Sequence, residues 1–221
     1  MSLTLHFHPL SSFCHKVLIA LYENDTPFAP KLVNLQDDGE RAAFHKLWPI
    51  GKFPVLRDHA RDRTVPESSI IIEYLDQHYP GKTKFIPTDV DIARQTRMRD
   101  RFFDLHIHMP MQKIVGDRLR PADKKDSHGV DDARTRMATA LGMLEQDMAS
   151  RDIAKTPWAT GNAFTMADCA AAPALFYAGK ITPLLPAFPN VAAYLERLKQ
   201  RPSYARALKE AEPYFQFFPR A

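Results

Sequence analysis

The sequence is poor in the residues and segments that mark secreted, membrane-spanning and nucleic-acid-binding proteins. Its 221 residues include only two cysteines, Cys14 and Cys169, and both fall in apolar helical patterns, which excludes a disulfide-rich scaffold. No apolar run approaches the roughly 18 residues of a membrane span, and the start of the chain lacks the charged and then apolar pattern of a signal peptide. We therefore expect a cytoplasmic protein without a membrane partner.

A concentrated basic surface and a metal-binding motif are also missing. The 30 Lys and Arg residues are spread over the chain among 26 Asp and Glu residues, so nucleic acid is not an expected partner. His6 and His8 would share one face of a strand, but no third ligand follows at a spacing known from metal sites. We expect no metal ion.

Short strand patterns alternate with helical ones over the first 80 residues, which indicates an α/β sheet with its functional edge at helix N-termini. Pro30 predicts that the second strand is an edge strand or an irregular one, because proline cannot donate to a strand ladder. The predicted elements are a strand at 3–7, a helix opening at 11–14, a strand at 28–35, a helix at 40–47, strands at 51–56 and 64–65, and a helix from about 67 to 78.

From Thr88 onward the patterns are helical. Pro110 is expected to kink or break the first long helix, and Pro173 either kinks the central helix or marks the end of its first turn. That central helix should begin at a capping box formed by Thr165 and Asp168. We place one domain at residues 1–80, a linker at 81–87 and an all-helical domain at 88–221. The predicted helices are 89–119, 130–149, 169–177, 191–200 and 204–211.

Small hydroxyl and thiol side chains stand where the first strand turns into the first helix. The segment Ser11-Ser12-Phe13-Cys14 precedes the apolar residues from Val17 onward, so it opens that helix. The first N–H groups of a helix have no partner within it and carry about half a positive charge, so an anion bound at Ser11 would be stabilised. The same serines also fit an ordinary helix cap.

This run, two later segments and the capping box together resemble the glutathione transferase superfamily over essentially the whole chain. The run itself is similar to that of serine-type, bacterial-like members, with a more distant resemblance to the zeta, tau and theta types. The resemblance implies a thioredoxin-like N-terminal domain, an all-helical C-terminal domain and a homodimer. The segments that carry it are Ser11-Ser12-Phe13-Cys14-His15-Lys16-Val17, Gly51-Lys52-Phe53-Pro54-Val55-Leu56, Glu67-Ser68-Ser69-Ile70-Ile71-Ile72-Glu73-Tyr74-Leu75 and residues 164–168.

The resemblance also implies roles for single residues, first of all at the sulfur of glutathione. Ser11 would donate to that sulfur and stabilise the thiolate, with Ser12 or Cys14 as alternatives. Pro54 resembles the cis-proline of the family, and the backbone of the preceding Phe53 would pair with the cysteinyl part of glutathione.

The two carboxylate ends of glutathione would be held by other residues. Lys52 would approach the glycyl carboxylate, although it also fits a solvated charge. Glu67 and Ser68 would hold the γ-glutamyl end, although both also belong in the first turn of a helix.

The implied function is a glutathione transferase in which glutathione is the co-substrate. Its thiolate would attack a small apolar electrophile held by the helical domain, in a detoxification role. Two alternatives stay open beside a thiol transferase that would use Cys14. One is a glutathione-dependent isomerase of the maleylacetoacetate type, whose Ser-Ser-Cys run is similar to Ser11-Ser12-Phe13. The other is a binding or regulatory protein that keeps the fold without catalysis.

Overall fold

The structure is a computed structural model that describes residues 2–219. Its strands are β1 (Leu3–Phe7), β2 (Ala29–Leu32), β3 (Val55–Asp58) and β4 (Arg63–Pro66). Its α-helices are α1 (Ser12–Glu23), α2 (Asp38–Leu47), α3 (Ser68–His78), α4 (Val90–Phe102), α5 (Met109–Arg118), α6 (Ser127–Ala149), α7 (Met166–Ile181), α8 (Pro189–Lys199) and α9 (Pro202–Ala211). A π-helical turn spans Phe103–His108, and 3-10 turns span Ala122–Lys124 and Glu212–Phe217.

The four strands form one mixed sheet in the order β2-β1-β3-β4. β1 runs parallel to β2 and antiparallel to β3, which pairs antiparallel with β4. β2 contains Pro30 and lies at the edge of the sheet, so the predicted edge strand is confirmed. β3 begins at Val55, later than predicted, because the chain first turns through Gly51, whose φ of +68° lies outside the strand region.

Packing divides the chain into two units. Within the described residues, the first comprises residues 2–86 and Pro202–Phe215, while the second comprises Pro87–Arg201 and residues 216–219. In the first unit, α1 packs against both α3 and α9. The predicted division, with its linker at residues 81–87, assigns α9 to the helical domain. In the structure, α9 instead packs with the first unit, against α1.

The first unit has an apolar core around its sheet and helices. Completely buried side chains come from the strands and from the inner faces of α1 and α3, among them Leu3, Leu5, Val17, Ile19, Leu56 and Ile71. A smaller cluster beside α2 contains Val33, Phe44 and Val55, with Trp48 and Phe53 packed against it. This cluster anchors the loop that leads into β3.

The second unit is built around α7, which is buried along most of its length. The predicted capping box of Thr165 and Asp168 is present at its start, and Pro173 lies inside the helix. The first long helix is interrupted before Pro110 by the π-helical turn, because proline has no N–H to bond the preceding turn. A thioredoxin-like α/β arrangement followed by an all-helical one is thus confirmed.

Candidate functional site

Three segments meet at one end of the sheet because of the strand register. His6 of β1 lies opposite Val55 of β3, and Val55 lies opposite Pro66 of β4. Since β3 runs antiparallel to both neighbours, the C-terminal ends of β1 and β4 lie at the same end as its N-terminus. Three segments are therefore found at this end of the sheet. They are the Ser11 segment after β1, the Pro54 segment before β3 and the start of α3 after β4.

Ser11 is the N-cap residue of α1 and is half-buried. The Cys14 N–H donates to Ser11 Oγ at 3.3 Å, and the Ser11 carbonyl accepts from the N–H groups of Cys14 and His15 at 2.9 and 3.0 Å. The cap uses an acceptor position of the hydroxyl, so its hydrogen remains able to donate. Capping the helix does not by itself prevent the Ser11 hydroxyl from donating to a bound anion.

The two alternatives to Ser11 are more deeply buried. Ser12 is 5% exposed and Cys14 is completely buried. Burial raises the pKa of the Cys14 thiol to about 12 and outweighs the opposite effect of hydrogen bonds with the Ser11 side chain and the His8 backbone. A thiol with this pKa is protonated at neutral pH, whereas nucleophilic attack requires the thiolate. The environment of Cys14 therefore disfavours it as a nucleophile.

The loop before β3 lies beside the segment before α1. The Phe53–Pro54 peptide bond is cis, which agrees with the resemblance, and Pro54 is buried while Lys52 is exposed. The Phe53 ring stacks on the His8 ring, with 5.9 Å between ring centroids and an interplanar angle of 21°. This contact brings the backbone of Phe53 close to the strand end that leads to Ser11.

The His8 ring also contacts Tyr214, a neighbour that sequence reasoning missed. Tyr214 meets it edge-on, with 5.8 Å between ring centroids. The Leu10 N–H donates to His8 Nδ1 at 3.2 Å, so the neutral ring carries its hydrogen on Nε2. Burial lowers the pKa of His8 below its usual value, which favours that neutral form. Nothing local in the sequence predicts this contact, because the two residues lie near opposite ends of the chain.

The start of α3 is not an ordinary helix cap. Glu67, the N-cap residue, is exposed and has a φ of +68°, a conformation that costs a residue with a side chain on the order of 1–3 kcal/mol. Within residues 2–219 the Glu67 side chain makes no capping hydrogen bond. The capping alternative for Glu67 is therefore not what the structure shows. Ser68, 6% exposed, occupies the first helical position at an N-terminus that favours anions.

A lysine joins the two helices at this end of the sheet. Lys16 of α1 is completely buried, and its Nζ donates to Ser69 Oγ of α3 at 2.8 Å. Sequence reasoning missed this contact. The available signal was a charged residue directly before the apolar run that begins at Val17.

The site contains hydroxyl donors and helix N-termini, which suit anions, and it offers no metal ligand set. In the described part of the chain, no group of three or more His, Cys, Asp and Glu side chains is arranged to hold a metal ion. The helices within residues 2–219 include none that is long and apolar enough to cross a membrane.

Comparison with known proteins identifies two family domains along the chain. Residues 5–83 match the family model described as glutathione S-transferase, N-terminal domain, and residues 127–197 match the one described as glutathione S-transferase, C-terminal domain. Together the two matches include the Ser11, Pro54 and Ser68 segments and the start of α7.

Individual relatives and solved structures are similar over nearly the full chain. A stringent starvation protein A homolog of Haemophilus influenzae is 28% identical over 96% of this chain and 92% of its own length. A dichloromethane dehalogenase of Methylorubrum extorquens is 28% identical over 95% of this chain and 75% of its own. A glutathione S-transferase of Methylobacterium radiotolerans, solved in complex with glutathione sulfonate, is 26% identical, has a TM-score of 0.79 and covers 93% of both chains.

The sheet order and the capping box lie within the two domains that the family models match, and both models describe the same family. The protein therefore belongs to the glutathione transferase superfamily.

Proposed function

We propose that this protein is a glutathione transferase that binds glutathione at the sheet end described above and activates its thiol through Ser11. The observation that carries the proposal is the half-buried Ser11 hydroxyl at the N-cap of α1, where the cap bond from the Cys14 N–H uses an acceptor position of the oxygen and not its hydrogen. The thiol proton leaves to solvent. The thiolate sulfur then bonds to the electrophilic carbon of the second substrate, whose leaving group departs with the electron pair.

The energy required for thiol activation matches what the site offers. A thiol with a pKa of roughly 8.5 is about 3% ionised at pH 7. Lowering that pKa by two units takes about 2.7 kcal/mol of preferential thiolate stabilisation. A charge-assisted hydrogen bond supplies about 1.5–3 kcal/mol, and a helix N-terminus adds about 0.3–1 kcal/mol. Together Ser11 and the start of α1 would supply about 1.8–4 kcal/mol, a range that includes this requirement.

The rest of glutathione has matching partners in this arrangement. The cysteinyl backbone would pair with the Phe53 backbone beside the cis-proline Pro54. The exposed Lys52 side chain would bind the glycyl carboxylate. The γ-glutamyl carboxylate would lie at Ser68 and the N-terminus of α3, with its amino group facing Glu67. Within residues 2–219 the Glu67 side chain makes no capping hydrogen bond. This supports the assignment, because its carboxylate is then available to the amino group of glutathione.

The second substrate is proposed to be a small apolar electrophile, as the name of the dichloromethane dehalogenase relative suggests for that protein. A glutathione-dependent isomerisation would use the same thiolate, and a relative from Vibrio cholerae is named a probable maleylacetoacetate isomerase. We further propose a cytoplasmic homodimer with a detoxification role, in which residues 1–80 bind glutathione and residues 88–221 contribute contacts to the electrophile.

A second candidate function is a regulatory protein that keeps the fold without catalysis. The observation in its favour is the similarity to proteins named for stringent starvation rather than for a transferase. The burial of Cys14 does not separate the two candidates, because neither uses that thiol.

Glutathione titration tests the proposed function directly. We expect calorimetry to detect binding by the purified protein, and the bound thiol to ionise at a lower pH than free glutathione in an ultraviolet titration of the thiolate. Binding without a lowered thiol pKa would favour the regulatory candidate. A folded protein that does not bind glutathione would refute both the transferase and the isomerase.

A further inference from the structure

The half-buried His8 ring contacts two other segments of the first unit. It stacks on the Phe53 ring, with 5.9 Å between ring centroids and an interplanar angle of 21°. Tyr214 packs against it in a T-shaped arrangement, with 5.8 Å between ring centroids. Phe53 precedes β3 and Tyr214 follows α9, while His8 itself lies between β1 and α1. One ring therefore joins the chain that leads to Ser11 with the loop that carries Phe53.

His8 also closes the turn that leads from β1 into the cap of α1. The Ser11 N–H donates to the His8 carbonyl at 2.9 Å, as in a β-turn, and Pro9 occupies the second position, where proline is favoured. The Leu10 N–H donates to His8 Nδ1 at 3.2 Å. A bond from the N–H of residue i+2 to the side chain of residue i is the one that asparagine and aspartate make in Asx turns. His8 thus holds both Leu10 and Ser11 in this turn.

We propose that His8 is a positioning residue with two separable roles in the glutathione site. Its Nδ1 holds the turn that places the Ser11 hydroxyl at the sulfur of glutathione. Its ring face holds the loop whose Phe53 backbone pairs with the cysteinyl part. The inference rests on the proposed function, because it concerns the same ligand. Groups that are already in place bind and activate a ligand more strongly, since less ordering remains to be done when the ligand arrives.

Other contacts of the turn limit the effect of losing the Nδ1 acceptor. The bond from the Ser11 N–H to the His8 carbonyl does not depend on the His8 side chain. The Pro9 carbonyl is also in contact with His15 Nε2 of α1 at 2.6 Å. Removing the acceptor for the Leu10 N–H therefore weakens the turn by about one neutral hydrogen bond. This bounds the shift in the pKa of the bound thiol at about one unit.

The loop before β3 likewise has a second anchor. The Phe53 ring packs against Phe44 in the cluster beside α2, with 6.3 Å between ring centroids. Losing the His8 ring should therefore loosen this loop without releasing it. We expect glutathione to bind more weakly as a result, by part of the free energy that an aromatic pair contributes.

The test uses the variants His8→Phe and His8→Asn in the full chain. His8→Phe keeps an aromatic ring for the stack with Phe53 but offers no acceptor to the Leu10 N–H. His8→Asn offers an oxygen acceptor with the geometry of an Asx turn but has no ring. His59→Phe is the matched control, because His59 is an exposed histidine of the same unit whose ring pairs with Thr4 Oγ1 at 3.0 Å.

Three measurements on each protein distinguish the two roles. They are thermal unfolding, the pKa of the bound glutathione thiol by ultraviolet titration, and the affinity for S-methylglutathione, whose sulfur cannot ionise. For His8→Phe we expect the thiol pKa to rise by about half to one unit, with nearly unchanged affinity for S-methylglutathione. For His8→Asn we expect a nearly unchanged thiol pKa and about two- to fivefold weaker binding of S-methylglutathione. His59→Phe should change neither quantity.

The outcomes separate this inference from the proposed function. Wild-type protein that does not bind glutathione, or binds it without lowering the thiol pKa, overturns both. A lowered thiol pKa in the wild type that His8→Phe leaves unchanged overturns only the role of Nδ1, as does an equal rise in His8→Phe and His8→Asn. Unchanged affinity of His8→Asn for S-methylglutathione overturns the role of the ring. If His8→Phe does not fold, His8→Ala decides on Nδ1, because it also lacks the acceptor and adds no bulk, and an unchanged thiol pKa in that variant refutes the role.

Discussion

Replacing Asp58 with asparagine is expected to destabilise the first unit at neutral pH and to do so much less in acid. Asp58 is completely buried at the end of β3. It accepts hydrogen bonds from the hydroxyls of Tyr74 and Tyr79, both at 2.7 Å, and from the backbone N–H groups of Ala60 and Arg61 at 3.0 and 3.2 Å. The Arg61 guanidinium adds an ion pair at 3.4 Å.

The expected size follows from the ionisation of Asp58. Burial alone would raise the pKa of this carboxyl, but the hydrogen bonds from Tyr79, Tyr74 and the backbone outweigh burial and lower it from 3.8 to about 2. This difference between the unfolded-state and folded-state pKa corresponds to about 2.5 kcal/mol of free energy of unfolding at pH 7. Because the folded-state pKa is the lower one, this contribution is complete above about pH 4 and is lost as the pH falls toward about 2.

Thermal unfolding of Asp58→Asn at several pH values tests this reasoning. At pH 7 we expect a fall in Tm of about 5–10 °C, given about 2–4 °C per kcal/mol for a chain of this length. At about pH 2 the difference from wild type should shrink to less than half. Asp62→Asn is the matched control, because Asp62 lies in the same hairpin and pairs with Arg57 at the surface, where an ion pair contributes little. An Asp58→Asn deficit that is the same at both pH values would refute the role of the ionised carboxylate.

Two further predictions concern buried groups. Asp168 accepts from the N–H groups of Ala159 and Thr165 at 2.8 and 2.9 Å and from the Tyr194 hydroxyl at 2.5 Å. Asp168→Ala should therefore lower the free energy of unfolding by about 3 kcal/mol or more, since each buried donor left without an acceptor costs about 1–3 kcal/mol. A denaturant titration that finds a loss of less than about 1 kcal/mol would contradict this prediction. Cys14 should resist a thiol reagent in the native protein at pH 7 and react on unfolding, and rapid native labelling of Cys14, located by mass spectrometry, would contradict its buried, protonated state.

Much of the fold and the positions of the site segments could be predicted because they depend on local patterns. Pro30 predicted an edge strand, and the capping box predicted the start of α7. Ser11 could be identified as the start of α1 because cap residues are recognised within one helical turn. These features depend on residues that are close together in the chain.

The missed features depend on contacts between distant segments. The Lys16–Ser69 hydrogen bond and the contact of His8 with Tyr214 exist only once the sheet and helices have packed. The late start of β3 depends on the positive φ of Gly51. No pattern of hydrophobic residues contains this information, because periodicity describes which face is buried and not which polar groups meet there.

The central claim is that the Ser11 hydroxyl stabilises the thiolate of bound glutathione, and the pKa of that thiol in Ser11→Ala tests it most directly. Loss of one charge-assisted hydrogen bond, about 1.5–3 kcal/mol, corresponds to a rise of about one to two pKa units. The variant also loses a helix cap, about 1 kcal/mol of stability, which a separate unfolding measurement accounts for. We predict that ultraviolet titration finds this rise in Ser11→Ala with glutathione affinity nearly unchanged, and no rise in the control Ser12→Ala. An unchanged thiol pKa in Ser11→Ala would contradict the account.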